Sequence, residues 1–185
     1  MNKQIFIFFI LLSTLSMAQV ESEKLPFYEI EDYPETYDSN FIVARMIDGL
    51  GFRYYWATEG LRDVDLEYKP SESGRNTGET IDHLYGLSRF IRNSILEHNK
   101  DETKSELSYN EKRKQTLMNL KMVSDVFKSS KEIFKFEETS VPFWNIINGP
   151  ISDALWHCGQ IVMLRRASGN PFNSKVSVFQ GKLKN

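Results

Sequence analysis

The amino-acid sequence predicts an all-α protein: a four-helix bundle with an extended N-terminal arm and a short C-terminal tail. Three observations predict it. Apolar residues recur at alternating steps of three and four over several long stretches. Two of those stretches open on capping-box signatures, in which a polar residue is followed by glutamate one turn on. Strand-like alternation is confined to a weak run at Val176–Phe179, read as one short strand laid on the bundle.

In chain order, residues 1–18 read as a secretory signal peptide. Lys3 supplies the positive start, Ile5 to Leu15 the apolar run, and Ser16-Met17-Ala18 the small residues of a cleavage site. The run is too short to span a bilayer about 30 Å thick as a helix, and no cysteine follows it to take a lipid. The expectation is an exported protein with no stable membrane anchor after cleavage. Residues 19–40 form an acidic extended arm, with seven acids, one lysine, Pro26 and Pro34. Its aromatics Phe27, Tyr28, Tyr33 and Tyr37 are expected to dock on the domain.

The bundle is placed at 41–172. Its first helix carries the stripe Val43, Ile47, Leu50, Tyr54, Ala57 and Leu61, with Gly49 and Gly51 allowing close approach of a neighbour. Arg62 to Arg75, with Pro70 and Gly74, reads as a connection. The second helix opens at Asn76 or Thr77, with Glu79 in the capping box, buries Leu84, Leu87, Ile91 and Ile95, and ends near His98. The third starts at Ser108 with Glu111 and buries Leu120, Val123, Phe127 and Phe134. Lys114, Lys121, Lys128 and Lys135 form its solvated stripe. The fourth begins at Asn148-Gly149-Pro150, since proline suits a first helical position, and stops before Gly169 and Pro171. Residues 173–185 are a tail. The roughly ten-residue link after the second helix reaches about 33 Å if extended, so its length admits a turn or a parallel crossover.

Composition narrows the function classes. The whole chain has net charge −2, and loss of the signal removes Lys3 and no acid, leaving 22 basic against 25 acidic residues. No basic patch argues for nucleic acid. One cysteine, Cys158, permits no intramolecular disulfide; at about 100° from His157 on a helix it reads as a small core residue. The bundle must therefore be held by its core, to which thirteen Phe, eight Tyr and three Trp contribute.

The chemistry points to one constellation. Asp153 is the only formally charged side chain between Glu138 and Arg165, and it precedes His157 by four residues, so both share a helix face. A carboxylate in an apolar helix requires a compensating charge. An ion pair with His157 alone is an adequate account; a third group makes a metal site. His98 lies about 22 Å along the second helix from His83, so the two cannot share a site. His83 flanks the buried stripe and is the better ligand, whereas His98 suits a helix C-terminus. His83, Asp153 and His157 then give three ligands with coordination positions left open. Gln160 shares their face and can orient a ligand or touch substrate. Glu79, one turn before His83, is a weaker candidate as a supporting group or general base, since its cap position already explains it. Gly159 reads as relief for helix packing. Asp48 and Tyr55, sharing a face with Ala44 and Gly51, can line the cavity if that face turns inward.

The segments Ile81-Asp82-His83-Leu84, His157-Cys158-Gly159-Gln160-Ile161 and Arg165-Arg166-Ala167-Ser168-Gly169-Asn170-Pro171 resemble the DinB/YfiT-like family of metal-binding four-helix bundles, over about residues 40–172. The resemblance implies a long crossover between the second and third helices, and a metal held by a histidine of the second helix and two histidines, four apart, of the last. By position these match His83, Asp153 and His157, with Asp153 a departure from the family's usual histidine. It also implies a zinc- or nickel-like divalent metal and a hydrolase or thiol S-transferase acting on a small molecule, with a homodimer through an exposed helix face compatible. The competing class is a non-catalytic exported helical bundle in which Asp153 and His157 only pair.

Overall fold

The computed structural model of the protein describes residues 24–96 and 106–184; the predicted signal segment and His98 lie outside the described residues. Among those described, the chain is mostly helical: α1 (Ser39–Thr58), α2 (Asp63–Glu67), α3 (Thr77–Leu96), α4 (Tyr109–Ser129), α5 (Phe143–Ile146) and α6 (Ser152–Ala167), followed by β1 (Val176–Ser177) and β2 (Lys182–Leu183). No helix among the described residues is long and apolar enough to cross a membrane.

The helix starts follow local chemistry. The Asp38 carboxylate accepts from Phe41 N–H at the head of α1, and Ser108 with Glu111 forms the expected capping box of α4. Asn76 and Glu79 do the same for α3, each side chain accepting from the other's N–H at 2.7 and 2.9 Å. Three expectations are corrected. The stretch after α1 is not all connection, because Asp65 accepts from Arg62 N–H and closes the short helix α2. Pro150 is not at a first helical position: helical winding begins at Phe143 and passes through a π-turn at Ile147–Ile151, with Pro150 inside it, before α6. The wider i→i+5 turn accommodates a residue without an N–H. The third helix ends at Ser129, and Phe134 instead folds back onto Phe127, ring centroids 4.9 Å apart.

α1 packs against α4 and α6, and α3 packs against the same two. Directions follow from the contacts. Asp82, Tyr85 and Ser88 of α3 meet Lys112, Gln115 and Asn119 of α4 in rising order, so these helices run parallel, the crossover arrangement. α4 opposes α1, because Tyr109 reaches Thr58 while Ser124 donates to Asp48 at 2.6 Å. The inner faces bury Ile47, Leu50, Phe52, Tyr54, Leu84, Ile91, Leu117, Leu120, Phe127 and Ile161.

The C-terminal end of α1 is buried, and a helix leaves its last four carbonyls without partners of its own. Side chains from other helices take all four. Arg113 donates to Tyr55 O, Arg165 to Trp56 O and Ala57 O at 3.0 Å each, and Tyr109 to Thr58 O. Two buried guanidiniums thus meet the negative end of the helix dipole, although α1 has no basic residue in its own last turn. Position alone would assign Arg165 to the end of its own helix. It serves that end through Asn170, donating to its O at 2.7 Å and its Oδ1 at 3.4 Å.

Asp65, fully buried, joins α2 to the end of α6. It accepts from the Arg62 guanidinium at 2.8 and 2.9 Å and from Ser168 Oγ and Asn170 Nδ2 at 2.6 Å each. Gly169 adopts φ +81°, the left-handed conformation that turns the chain for these contacts. Ser168, Gly169 and Asn170 at the end of α6 therefore form a structural lock on Asp65.

Of the arm, Phe27 and Ile30 are buried, and Trp56 Nε1 donates to Tyr28 O, while Tyr33 and Tyr37 stay exposed. Gly51 makes room: a Cβ there would lie 2.5 Å from the Phe27 ring. The predicted single strand is a two-stranded hairpin, Val176 opposite Leu183, that holds the arm through Ile30 N–H to Gly181 O at 2.8 Å. The lysine stripe is not wholly solvated either. Lys128 pairs with buried Asp48 at 2.9 Å and with Glu31 of the arm at 3.0 Å.

Hydrogen bonds from Arg62, Ser168 and Asn170 hold the Asp65 carboxyl well below the usual carboxylate range, its burial notwithstanding. A depressed folded pKa contributes stability that is complete above the unfolded value, about 4, and is lost at about 1.4 kcal/mol per pH unit as pH falls below it. Asp65→Asn is expected to cost about 2–4 kcal/mol at pH 7, and the gap from wild type should narrow below pH 4. Urea melts at pH 7 and pH 3 check this; equal stability at pH 7 contradicts the lock.

Candidate metal centre

α3 and α6 run antiparallel. Thr80, in the first turn of α3, lines the same groove as Gln160, and His83, one turn further, faces Asp153 and His157 at the start of α6. His83 Nε2 lies 3.0 Å from Asp153 Oδ2, and His157 Nε2 lies 3.3 Å from Asp153 Oδ1. The imidazole rings meet edge to face, centroids 4.6 Å apart. One ligand atom from each residue falls within 4.8 Å of the others, so the three can hold a metal ion.

The sizes fit. Two ligand atoms on a tetrahedral zinc with bonds of about 2.0–2.1 Å stand about 3.3 Å apart, so small rotamer adjustments admit an ion. Gln160 adds a chemical reason. Its Oε1 accepts from His157 Nδ1–H at 2.7 Å, which leaves Nε2 with its lone pair toward a carboxylate oxygen. Two acceptors facing each other repel unless a cation, either a proton or a metal ion, stands between them. A hydrogen bond at the remote ring nitrogen is the usual orienting device of a metal-ligating histidine. Gln160 thus holds His157 in the tautomer that a metal ion at Nε2 would need.

The surroundings revise the reason for suspecting Asp153. Its side chain is 41% exposed, against 35% for His83 and 12% for His157, so water reaches the carboxylate and the expected cost of burying it is not incurred. It sits in the first turn of α6, whose outer face also exposes Trp156 and Met163. The open side leaves room for a further ligand.

Other candidates take different places. The Glu79 carboxylate is committed to the cap of α3 through Asn76. Gly159 is exposed, and a Cβ added there would meet nothing within 4 Å, so it relieves no helix contact. Asp48 and Tyr55 face α4 and the arm: Asp48 meets Lys128 and Ser124, and Tyr55 stacks edge-on with Tyr28. They do not line the metal centre. Cys158 is buried as expected, and that burial pushes its thiol up to about 12. The π-turn leading into α6 leaves no signature of its own in the sequence, because proline one position before a helix-like pattern gives the same signal for either start.

What fold and site define is a helical protein with two histidines and an aspartate placed to hold a metal ion. No family model, curated protein or solved structure matches the chain.

Gln160→Ala should weaken zinc affinity by about tenfold or more while leaving the melting temperature of metal-free protein nearly unchanged, because Gln160 is exposed. Competition titration with a zinc chelator measures it. Unaltered affinity would remove the orienting role.

Proposed function

We propose that the protein is an exported, DinB-like four-helix bundle that binds a divalent metal, zinc or nickel, through His83, Asp153 and His157, and acts as a metal-dependent hydrolase or thiol S-transferase on a small molecule. One observation carries the reading: three ligating side chains from two facing helices converge within 4.8 Å on a partly exposed side of the protein. The parallel course of α3 and α4 supports the resemblance, which implies that crossover. Exposure of Asp153 and His83 supports an open coordination position.

Each residue has a role in this reading. His83 and His157 supply neutral nitrogens, Asp153 supplies charge that offsets the cation, and Gln160 fixes the His157 tautomer. A divalent ion held there lowers the pKa of a bound water or thiol and polarises a carbonyl or phosphoryl oxygen. Export, where cytosolic thiols are scarce, puts hydrolysis ahead of thiol transfer.

A second reading has its own support. Asp153 already bridges both imidazoles at 3.0 and 3.3 Å, a self-sufficient carboxylate–imidazole cluster in a non-catalytic bundle. Metal content of the purified mature chain separates the two: absence of stoichiometric transition metal after reconstitution removes the enzyme reading. Asp153→Asn gives a finer separation. Zinc at about a hundred times its Kd should stabilise wild type by about 2.7 kcal/mol, and the substitution should abolish most of that rise in melting temperature. His98→Ala should keep it. Loss in the His98 variant equal to that in Asp153→Asn assigns the third ligand wrongly.

A further inference from the structure

Beside the metal centre a groove of about 800 Å³ runs between α6 and the segment joining α2 to α3. One wall is apolar, built by Trp156, Met163, Leu164 and Ala167 of α6; Trp156 and Met163 are 73% and 63% exposed, much for side chains of that kind. Tyr68, Pro70 and Arg75 form the other wall. His157 and Gln160 line the groove as well, so it reaches the candidate metal centre at His157, which neighbours Asp153.

The charge on this surface is one-sided. The chain carries more acids than bases, yet no carboxylate lines the groove, and Arg75 is its one lysine or arginine. Among the described residues Arg75 makes no ion pair or hydrogen bond, whereas Arg62, Arg113 and Arg165 are all engaged. Arg75 lies two residues ahead of α3, and the rise from Thr77 to His83 is about 9 Å, so Arg75 stands roughly 10 Å along the helix axis from His83. A ligand matched to these features has an anionic end, an apolar body and a polar reacting group about 10 Å from the charge.

Building on the metal reading above, we propose that this groove binds an elongated, mainly apolar monocarboxylate, its carboxylate on Arg75, its body along Trp156 and Met163, and its reacting group at His83, Asp153 and His157. An exposed guanidinium holds a carboxylate by paired charge-assisted hydrogen bonds, and an exposed tryptophan gives the apolar chain a flat surface.

Two probes test the groove and the metal separately. Octanoate is titrated into metal-free protein by calorimetry. Arg75→Gln should weaken it about tenfold, the size of one such ionic contact, and Trp156→Ala should weaken it too; both side chains are exposed, and melting curves should confirm intact folding. The monohydroxamate of suberic acid, which joins a carboxylate to a metal-chelating group across about the same span, is then titrated into zinc-loaded protein. It should bind about tenfold tighter than octanohydroxamate, and Arg75→Gln should erase that advantage. Octanoate binding that is undetectable, or equal in wild type and Arg75→Gln, overturns the proposal. Arg75-dependent octanoate binding combined with zinc-independent hydroxamate binding keeps the anion groove and overturns its link to a metal.

Discussion

The last four carbonyls of α1 end inside the protein, and most of the architecture can be traced to satisfying them. Water cannot do it there, and leaving a buried carbonyl unpaired costs about 1–3 kcal/mol. Arg113 and Tyr109 therefore bring the start of α4 to this point, and Arg165 brings the end of α6. Once those ends are fixed, the directions of both helices relative to α1 are fixed as well. α3 must then fit between α4 and α6. Its register against α4 is set by Asn119, which donates to Ser88 and accepts from Arg92 at 2.8 Å. His83 consequently arrives opposite Asp153 and His157, so the site depends on polar contacts remote from it.

Much of the helical content could be read from the sequence because it rests on local rules. The stripes of α1, α3 and α4 and the caps at Ser108 and Asn76 need only periodicity and hydrogen-bonding side chains in the right order. The His83, Asp153 and His157 group was legible for a related reason: three histidines, one lone acid and helical spacing left few combinations. What could not be read depends on partners distant in sequence. Lys128 looks like one member of a solvated stripe until Asp48 and Glu31 are seen on either side of it. Arg165 looks like a charge at its own helix end until the α1 carbonyls are found beneath it. Gly51 marks a close approach, but nothing local says that the visitor is Phe27. α2 is only five residues long, and its support is Asp65 and the distant Ser168 and Asn170.

The charge of Asp153 shows how three side chains can be expected to converge for the wrong reason. A carboxylate in an apolar stretch of sequence suggests burial, yet the apolar residues around it on the outer face of α6 are themselves exposed. Relief from desolvation is thus not what calls for a cation. The requirement comes from Gln160, which places the His157 proton on Nδ1 and turns a lone pair toward Asp153. Local geometry, rather than dielectric, creates the demand for positive charge.

α6 divides its duties by face. Ala154, Cys158, Ile161 and Arg165, at steps of four, three and four, are its buried side and hold it against α1 and α3. Asp153, Trp156, His157, Gln160 and Met163 occupy the sides left open. The exposed tryptophan and methionine, unfavourable to solvation, carry no packing role that would explain them. Arg165 anchors the helix two turns beyond His157, while the turn that carries Asp153 and His157 stays partly accessible. A substitution on the inner stripe should register as stability, whereas one on the outer face should leave the fold nearly unchanged, and that separation follows from the helix period itself.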